Sequence, residues 1–351
     1  MGFSESETAG ETSPVLQSTS TNATESKRLT YAGAIREALE QAMQLNERVV
    51  VMGQLVDYEP GVFGTTTGLV DQFGPHRVRD FPVSESAMTA AAIGAAAAGL
   101  RPVLVHHRLD FMLYSMDAVA NWLALWRFKS NGAASAPVVI RSIVGRGWGQ
   151  GPQHSKSLHA WFAHLPGMRV VLPATPFDAK GLLLEAIFGE NPAIFVEHRS
   201  LFGLHGDVPS VPYRVRMGNA IVRLAGAHIT IAAVGVMVPF ALRVAKQLGT
   251  AGVSAEVIDL RTISPLDTET IVRSVMKTGH LCVMDPAWRS FGASAEIAMR
   301  VVEAARTALA SEPIRITQPD SHTPAAGSLE QAYYPDELET ARQIEQYLNR
   351  S

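Results

Sequence analysis

The chain has 351 residues, 47% of them hydrophobic and 18% charged, and a formal net charge of −3. That length buries a large core and divides into two domains, while the near-neutral balance argues against a protein built to hold nucleic acid or an anionic membrane. Cys282 is the one cysteine, which excludes an internal disulfide and cysteine-based zinc sites.

Residues 1–27 carry Glu5, Glu7, Glu11 and Glu25 against Lys27, so the whole net charge resides there. Ser and Thr dominate this stretch and no apolar run exists to fold it, which predicts a disordered tail. It lacks the cationic start and apolar stretch of a secretory signal and is too acidic for a transit peptide. With no apolar run of membrane-spanning length, a cytoplasmic protein is expected. From 28 to 202 helical and strand-like segments alternate. Helical spacing covers 31–45 (Ala34, Ile35, Ala38, Leu39, Ala42), and 49–53 reads as a buried strand ending in Gly53. Strands follow at 103–105, 138–140, 169–173 and 193–196, with helices at 117–129 and 178–188. Continuous apolar strands between helices predict a parallel sheet covered on both faces. Residues 203–216, with Pro209 and Pro212, read as a linker. From 217 to 351 the pattern repeats, with strands at 229–233, 255–260, 281–284 and 314–316 and helices at 238–248, 268–278 and 294–307. This is a second, smaller α/β domain.

Glu85 is the most informative single residue. It precedes an almost featureless small-residue run, 87–99, and a carboxylate at the mouth of such a helix is expected to be poorly solvated and ready to hold a proton. The plainer alternative is an acid in a first helical turn, favoured there by the macrodipole. The run itself suits close approach of another backbone, at a subunit interface or within the chain. The glycines of 145–151 fail the dinucleotide spacing and lead into Gln153-His154 rather than a helix. No phosphate loop and no Gly-x-Ser-x-Gly elbow occurs. His106 and His107 are adjacent on a strand and face opposite ways, and His154, His159 and His164 are five apart, so no metal site is expected from them.

From residue 28 onward the chain resembles the beta subunits of thiamine-diphosphate-dependent 2-oxo acid dehydrogenase first components, which act on pyruvate, branched-chain 2-oxo acids or acetoin. The matching segments include Pro82-Val83-Ser84-Glu85, Gly99-Leu100-Arg101-Pro102, Gln153-His154-Ser155, 160–167 and 256–267. The resemblance implies a pyrimidine-type thiamine-diphosphate-binding parallel-sheet domain followed by a transketolase C-terminal-like α/β domain. It implies that Glu85 shares a proton with a ring nitrogen of the cofactor's aminopyrimidine, that Phe111 stacks on that ring, and that His154 orients the substrate carboxylate or donates a proton. An ordinary core Phe and a loop His bonded to backbone are the alternatives for the last two. The family's Gly-Asp-Gly metal and diphosphate segment is absent, since Gly206-Asp207 continues with Val208. The resemblance therefore implies half a site, with the diphosphate and its magnesium on an alpha subunit in an α2β2 tetramer. The implied activity is that of an oxidoreductase acting on the oxo group with a disulfide acceptor, passing an acyl group to a lipoyl acyltransferase. A split transketolase-like or carboligating enzyme acting on an aldehyde or sugar is the alternative, and a non-catalytic assembly subunit a third.

Four departures from the family pattern stand out. Gln54 stands where the family has Glu near the cofactor, and Gln cannot take up a proton. His106-His107-Arg108 replaces a segment with an acidic start. Lys156 and His159 replace Gln and Glu after His154, and Asp285-Pro286 replaces an acidic pair. The His106-His107-Arg108, Lys156 and His159 replacements predict a more basic entrance, suited either to a more anionic substrate or to a different partner or solvent, while Gln54 predicts altered proton handling or communication between two sites and Asp285-Pro286 leaves substrate and partner identity open.

Overall fold

The computed structural model describes residues 25–59, 62–147 and 149–350. The expected disordered tail lies mostly outside the described residues. Its last residues do not: Ser26–Thr30 is a strand paired antiparallel with His205–Pro209, inside the segment expected to be a plain linker. Residues 26–30 are thus clamped to the exit of the first domain.

The first domain is built on a seven-stranded sheet. Its order is Thr262–Ser264, Arg169–Val171, Ala193–His198, Val139–Val144, Arg101–His106, Val49–Gly53 and Val78–Asp80. All pairings are parallel except that of Thr262–Ser264. This edge strand comes from the second half of the chain, so the two domains share a sheet. The predicted apolar strands are buried on both faces, as a helix-covered parallel sheet requires. Val78–Asp80 and Thr262–Ser264 are three residues each, too short to show a pattern.

Helix Tyr31–Leu45 starts on Thr30, whose hydroxyl accepts the Gly33 N–H at 3.0 Å. It buries Ala34, Ile35, Ala38, Leu39 and Ala42 on one stripe. Helix Pro176–Phe188 packs beside it, capped by Thr175 with Pro176 at its first position. The single helix expected at 117–129 is instead a wide-turn stretch, Ala118–Leu123, followed by a short helix, Trp126–Lys129.

The second domain has a five-stranded sheet in the order Ile314–Gln318, Leu281–Trp288, Ile229–Ala233, Ala255–Asp259 and Ile221–Leu224, the last antiparallel. Cys282 is fully buried in it, and burial pushes its thiol up. One apolar core runs through both domains, from Leu104 and Ile140 to Val170, Ala232, Ile258 and Val283. A buried ionic group reinforces the joint: Asp178 of the first domain meets Arg223 and Arg261 of the second, and Arg223 also holds Asp259 at 2.8 Å. No helix of the described residues is long and apolar enough to cross a membrane.

Candidate active site

Four neighbouring strands end at one place. Gln54 follows Val49–Gly53, Glu85 follows Val78–Asp80, His107 to Phe111 follow Arg101–His106, and the segment with His154 follows Val139–Val144. Ligands of parallel α/β sheets bind beyond the carboxyl ends of strands. The structure therefore brings all four predicted site residues to the edge where such a site belongs.

Glu85 opens helix Glu85–Ala97 in its first turn. It is half-buried rather than sealed off, so the poor solvation expected from the sequence is not supplied by this chain alone. Its helix is fixed from below. Thr89 Oγ1 donates to the Glu85 carbonyl at 2.9 Å and lies 3.0 Å from His106 Nε2. The hydroxyl has one proton to give, so the buried His106 is the donor in the second bond. His106 is neutral: burial, then His107, push its pKa down to about 3.

Gln54 is buried, and Gly53 places it. Gly53 has φ +133°, and a Cβ there would overlap the Val105 carbonyl, which accepts the Gln54 N–H at 3.0 Å. Gln54 Oε1 accepts the His107 N–H at 2.6 Å, and its Nε2 donates to Glu85 Oε1 at 3.1 Å. The other carboxylate oxygen of Glu85 has no hydrogen bond to this chain among the described residues.

Phe111 begins a 3-10 turn, Phe111–Ser115, that is tied to the Glu85 helix because Ser86 Oγ donates to the Tyr114 carbonyl. The Phe111 ring is half-exposed and meets the His154 ring edge-on, with centroids 5.2 Å apart and planes at 87°. Arg108 secures His154 by donating to its carbonyl at 3.0 Å and also to Gln150 Oε1. Gly145 makes room, since a Cβ would strike both Arg108 and the His154 carbonyl.

Of the more basic entrance expected from the departures, Arg108 alone keeps a charge with no carboxylate at ion-pair distance among the described residues. His107 is pushed down to about 4 by burial, then by Arg141 and Arg108, and His106 is neutral as well. Lys156 Nζ is paired with Asp110 Oδ1 at 3.2 Å. His159 is buried against Asp285, with Nε2 2.8 Å from Oδ1. Two of the departures thus meet each other across the domain joint. Burial alone would raise Asp285, but the His159 charge and bond and the Ser294 and Ala287 N–H groups outweigh it and hold the carboxyl below its usual value. The sequence marked His106 and Arg108 only as departures from the family pattern and did not show that they and Thr89 support the site, because the Thr89–His106 and Arg108–His154 contacts join separate segments of the chain.

A carboxylate with a free oxygen, an aromatic face and a partly exposed His at the ends of four parallel strands suit an aminopyrimidine ring. Among the described residues no group of three or more His, Cys, Asp or Glu could hold a metal ion. Fold and site together define a two-domain protein of transketolase type.

Family models agree with that class: "Transketolase, pyrimidine binding domain" matches residues 27–203 and "Transketolase, C-terminal domain" matches 218–339. The chain is 39% identical to the beta subunit of acetoin:2,6-dichlorophenolindophenol oxidoreductase of Cupriavidus necator, covering 90% of this chain and 96% of that one. It is 38% identical to the pyruvate dehydrogenase E1 component subunit beta of Bacillus subtilis, over 90% of this chain and 98% of the relative. The 2-oxoisovalerate dehydrogenase subunit beta of the same organism is 37% identical, over 89% and 97%. A solved split-gene transketolase, described as an inactive beta4 tetramer, superposes with a TM-score of 0.75 at 21% identity over 92% of this chain and 98% of that chain, a likeness of fold. The chain belongs to the family of thiamine-dependent 2-oxo acid dehydrogenase E1 beta subunits.

Proposed function

We propose that the chain is the pyrimidine-binding subunit of a heteromeric oxidoreductase that decarboxylates a 2-oxo acid and passes the acyl group to the disulfide of a lipoyl acyltransferase. Thiamine diphosphate, when bound, supplies the carbon nucleophile and the electron sink for that chemistry. Glu85 holds and returns a proton at a ring nitrogen of the aminopyrimidine through the oxygen that Gln54 leaves free. Gln54 fixes the other oxygen. Phe111 holds the ring face-on, and His154, anchored by Arg108, orients the substrate carboxylate or donates a proton during the reaction.

The observation that carries this reading is the placement of Glu85 and of the Phe111–His154 pair at the carboxyl ends of strands of one parallel sheet, with the Glu85 helix tied to the Phe111 turn by Ser86 and Tyr114. The diphosphate and its magnesium are assigned to an alpha subunit in an α2β2 assembly. An apolar face supports such assembly: Ala87, Ala90, Gly94 and Ala97 are exposed on the Glu85 helix, and Tyr114, Trp122 and Phe128 are exposed on segments near it in the chain. A split transketolase is the weaker reading, since the likeness to one is at fold level while the relatives at 37–39% identity are named dehydrogenase or oxidoreductase beta subunits. The test is carbon dioxide release from pyruvate and branched 2-oxo acids, with a dye acceptor, by the chain purified with its alpha partner. Glu85→Gln is expected to abolish turnover and leave the assembly intact; undiminished turnover would remove Glu85 from the chemistry.

A further inference from the structure

A cavity of about 190 Å³ lies between the two domains, and none of Gln54, Glu85, Phe111 and His154 lines it. Its apolar wall includes Leu201, Val236 and Phe240, and its polar groups include Arg146 and His198. The Arg146 guanidinium lies over the Tyr334 ring, 3.8 Å from the centroid, an arrangement that leaves its edge N–H donors available. Among the described residues Arg146 has no carboxylate at ion-pair distance, whereas Arg243, the other cation of the wall, is held by Glu337. His198 Nδ1 accepts the Ser200 N–H at 3.2 Å. Burial and then Arg146 push His198 down to about 3, so the ring is neutral and its one proton sits on Nε2 as a donor. Asp285 also reaches the wall, but both its oxygens are engaged, by His159 and Ala287 on one and Ser294 on the other.

An exposed cation at the mouth, without a carboxylate partner among the described residues, with one neutral donor and an apolar wall, selects a single negative charge on a small apolar body. The volume is below the ~300 Å³ at which drug-sized ligands begin. We infer that this cavity is a second small-molecule site that takes a monocarboxylate with a short apolar tail, its carboxylate on Arg146 and His198 and its tail against Leu201, Val236 and Phe240.

The site is placed to act on the reaction. Arg146 and Asp285 bracket the segment that carries His154: Gly147 N donates to Glu330 Oε1 at 2.7 Å at one end, and His159 is tied to Asp285 at the other. A ligand bridging Arg146 to the second domain stiffens that segment. Binding stands on the cavity alone; only the effect on turnover rests on the proposed function.

The experiment is calorimetric titration of the assembly with its alpha partner, using 3-methylbutanoate and its neutral amide. The acid is expected to bind saturably and the amide not at all. Arg146→Gln is expected to weaken the acid by roughly ten-fold or more, the loss of a charge-assisted bond. Glu85→Gln is expected to stop turnover and leave acid binding unchanged, so the two readings fail separately. No saturable binding, equal binding of the amide, or binding lost with Glu85→Gln would overturn the proposal, as would a folded Arg146→Gln assembly that binds the acid unchanged.

Discussion

Gln54 donates to Glu85 in one fixed sense: the His107 N–H holds Gln54 Oε1 at 2.6 Å, so the amide cannot flip and its Nε2 faces Glu85 Oε1 at 3.1 Å. A side chain that only donates here supports the ionised carboxylate and cannot relay a proton onward. Gln54→Glu restores an acid at that point and sets two carboxylates side by side, which compete for ionisation. The acid limb of the pH–rate profile is expected to move to higher pH. Gln54→Leu, lacking the bond, is expected to lower kcat/KM by about ten-fold, the worth of one hydrogen bond to a charged group. A profile that stays in place in both variants would disconnect Gln54 from Glu85.

Arg108 is the clamp on His154. One guanidinium nitrogen, Nη1, reaches both Gln150 Oε1 and the His154 carbonyl, held there by a rigid planar group that the flexible stem of a lysine ammonium does not match. Arg108→Lys is expected to cut kcat/KM by roughly ten-fold through looser positioning of His154, with little change in Tm because Arg108 is half-exposed. Steady-state kinetics beside thermal melts check this, and a large fall in Tm with unchanged kinetics would make Arg108 structural only.

The order of helices and buried strands was legible because apolar periodicity is local. Ala34, Ile35, Ala38 and Leu39 declare a helix face, and 49–53 and 193–196 declare buried strands, without reference to the rest of the chain. Glu85 stood out by the small-residue run that follows it, but its grouping with Phe111 and His154 came only from the family resemblance, since no periodicity brings residues 85, 111 and 154 together. What escaped was contact between distant segments. The strand Thr262–Ser264 joins the first sheet from the second domain, and Ser26–Thr30 pairs with His205–Pro209. Charge was misjudged for the same reason. His106, His107, Lys156 and His159 look basic in a row of letters, but burial keeps two of them neutral and carboxylates from other segments partner the other two.

The His159–Asp285 pair makes a stability prediction. Both side chains are fully buried, and removing one partner leaves the other uncompensated. Asp285→Ala is expected to destabilise the chain by about 3 kcal/mol, while His159→Phe combined with Asp285→Leu recovers part of the loss. The pH sign follows from Asp285 being held below its usual value: its contribution is present above the unfolded carboxyl pKa and is lost as pH falls through the lower folded value. Denaturant unfolding of the two variants checks both points. A double variant as unstable as the single one would show that the site cannot be repacked.

Asp259 predicts the opposite pH sign at the other interdomain contact. It is fully buried, and burial and then Asp178 push it up to about 6, against the pull of Arg223 and Arg261. Its Oδ2 accepts Arg223 at 2.8 and 3.2 Å and its Oδ1 the Arg261 N–H at 3.0 Å, so two arginines serve two buried carboxylates. With the folded value above the unfolded one, the folded state binds the extra proton between them, and stability falls as pH rises through that window. A shift of that size corresponds to about 3 kcal/mol as an order of magnitude. Asp259→Asn keeps the shape and removes the titration. Across pH ~4 to ~7 its Tm is therefore expected to fall less steeply than that of the unmodified chain, and its deficit to shrink or reverse at neutral pH. Parallel Tm–pH slopes for the two proteins would mean that Asp259 does not take up a proton in this window and that the arginines hold it ionised throughout.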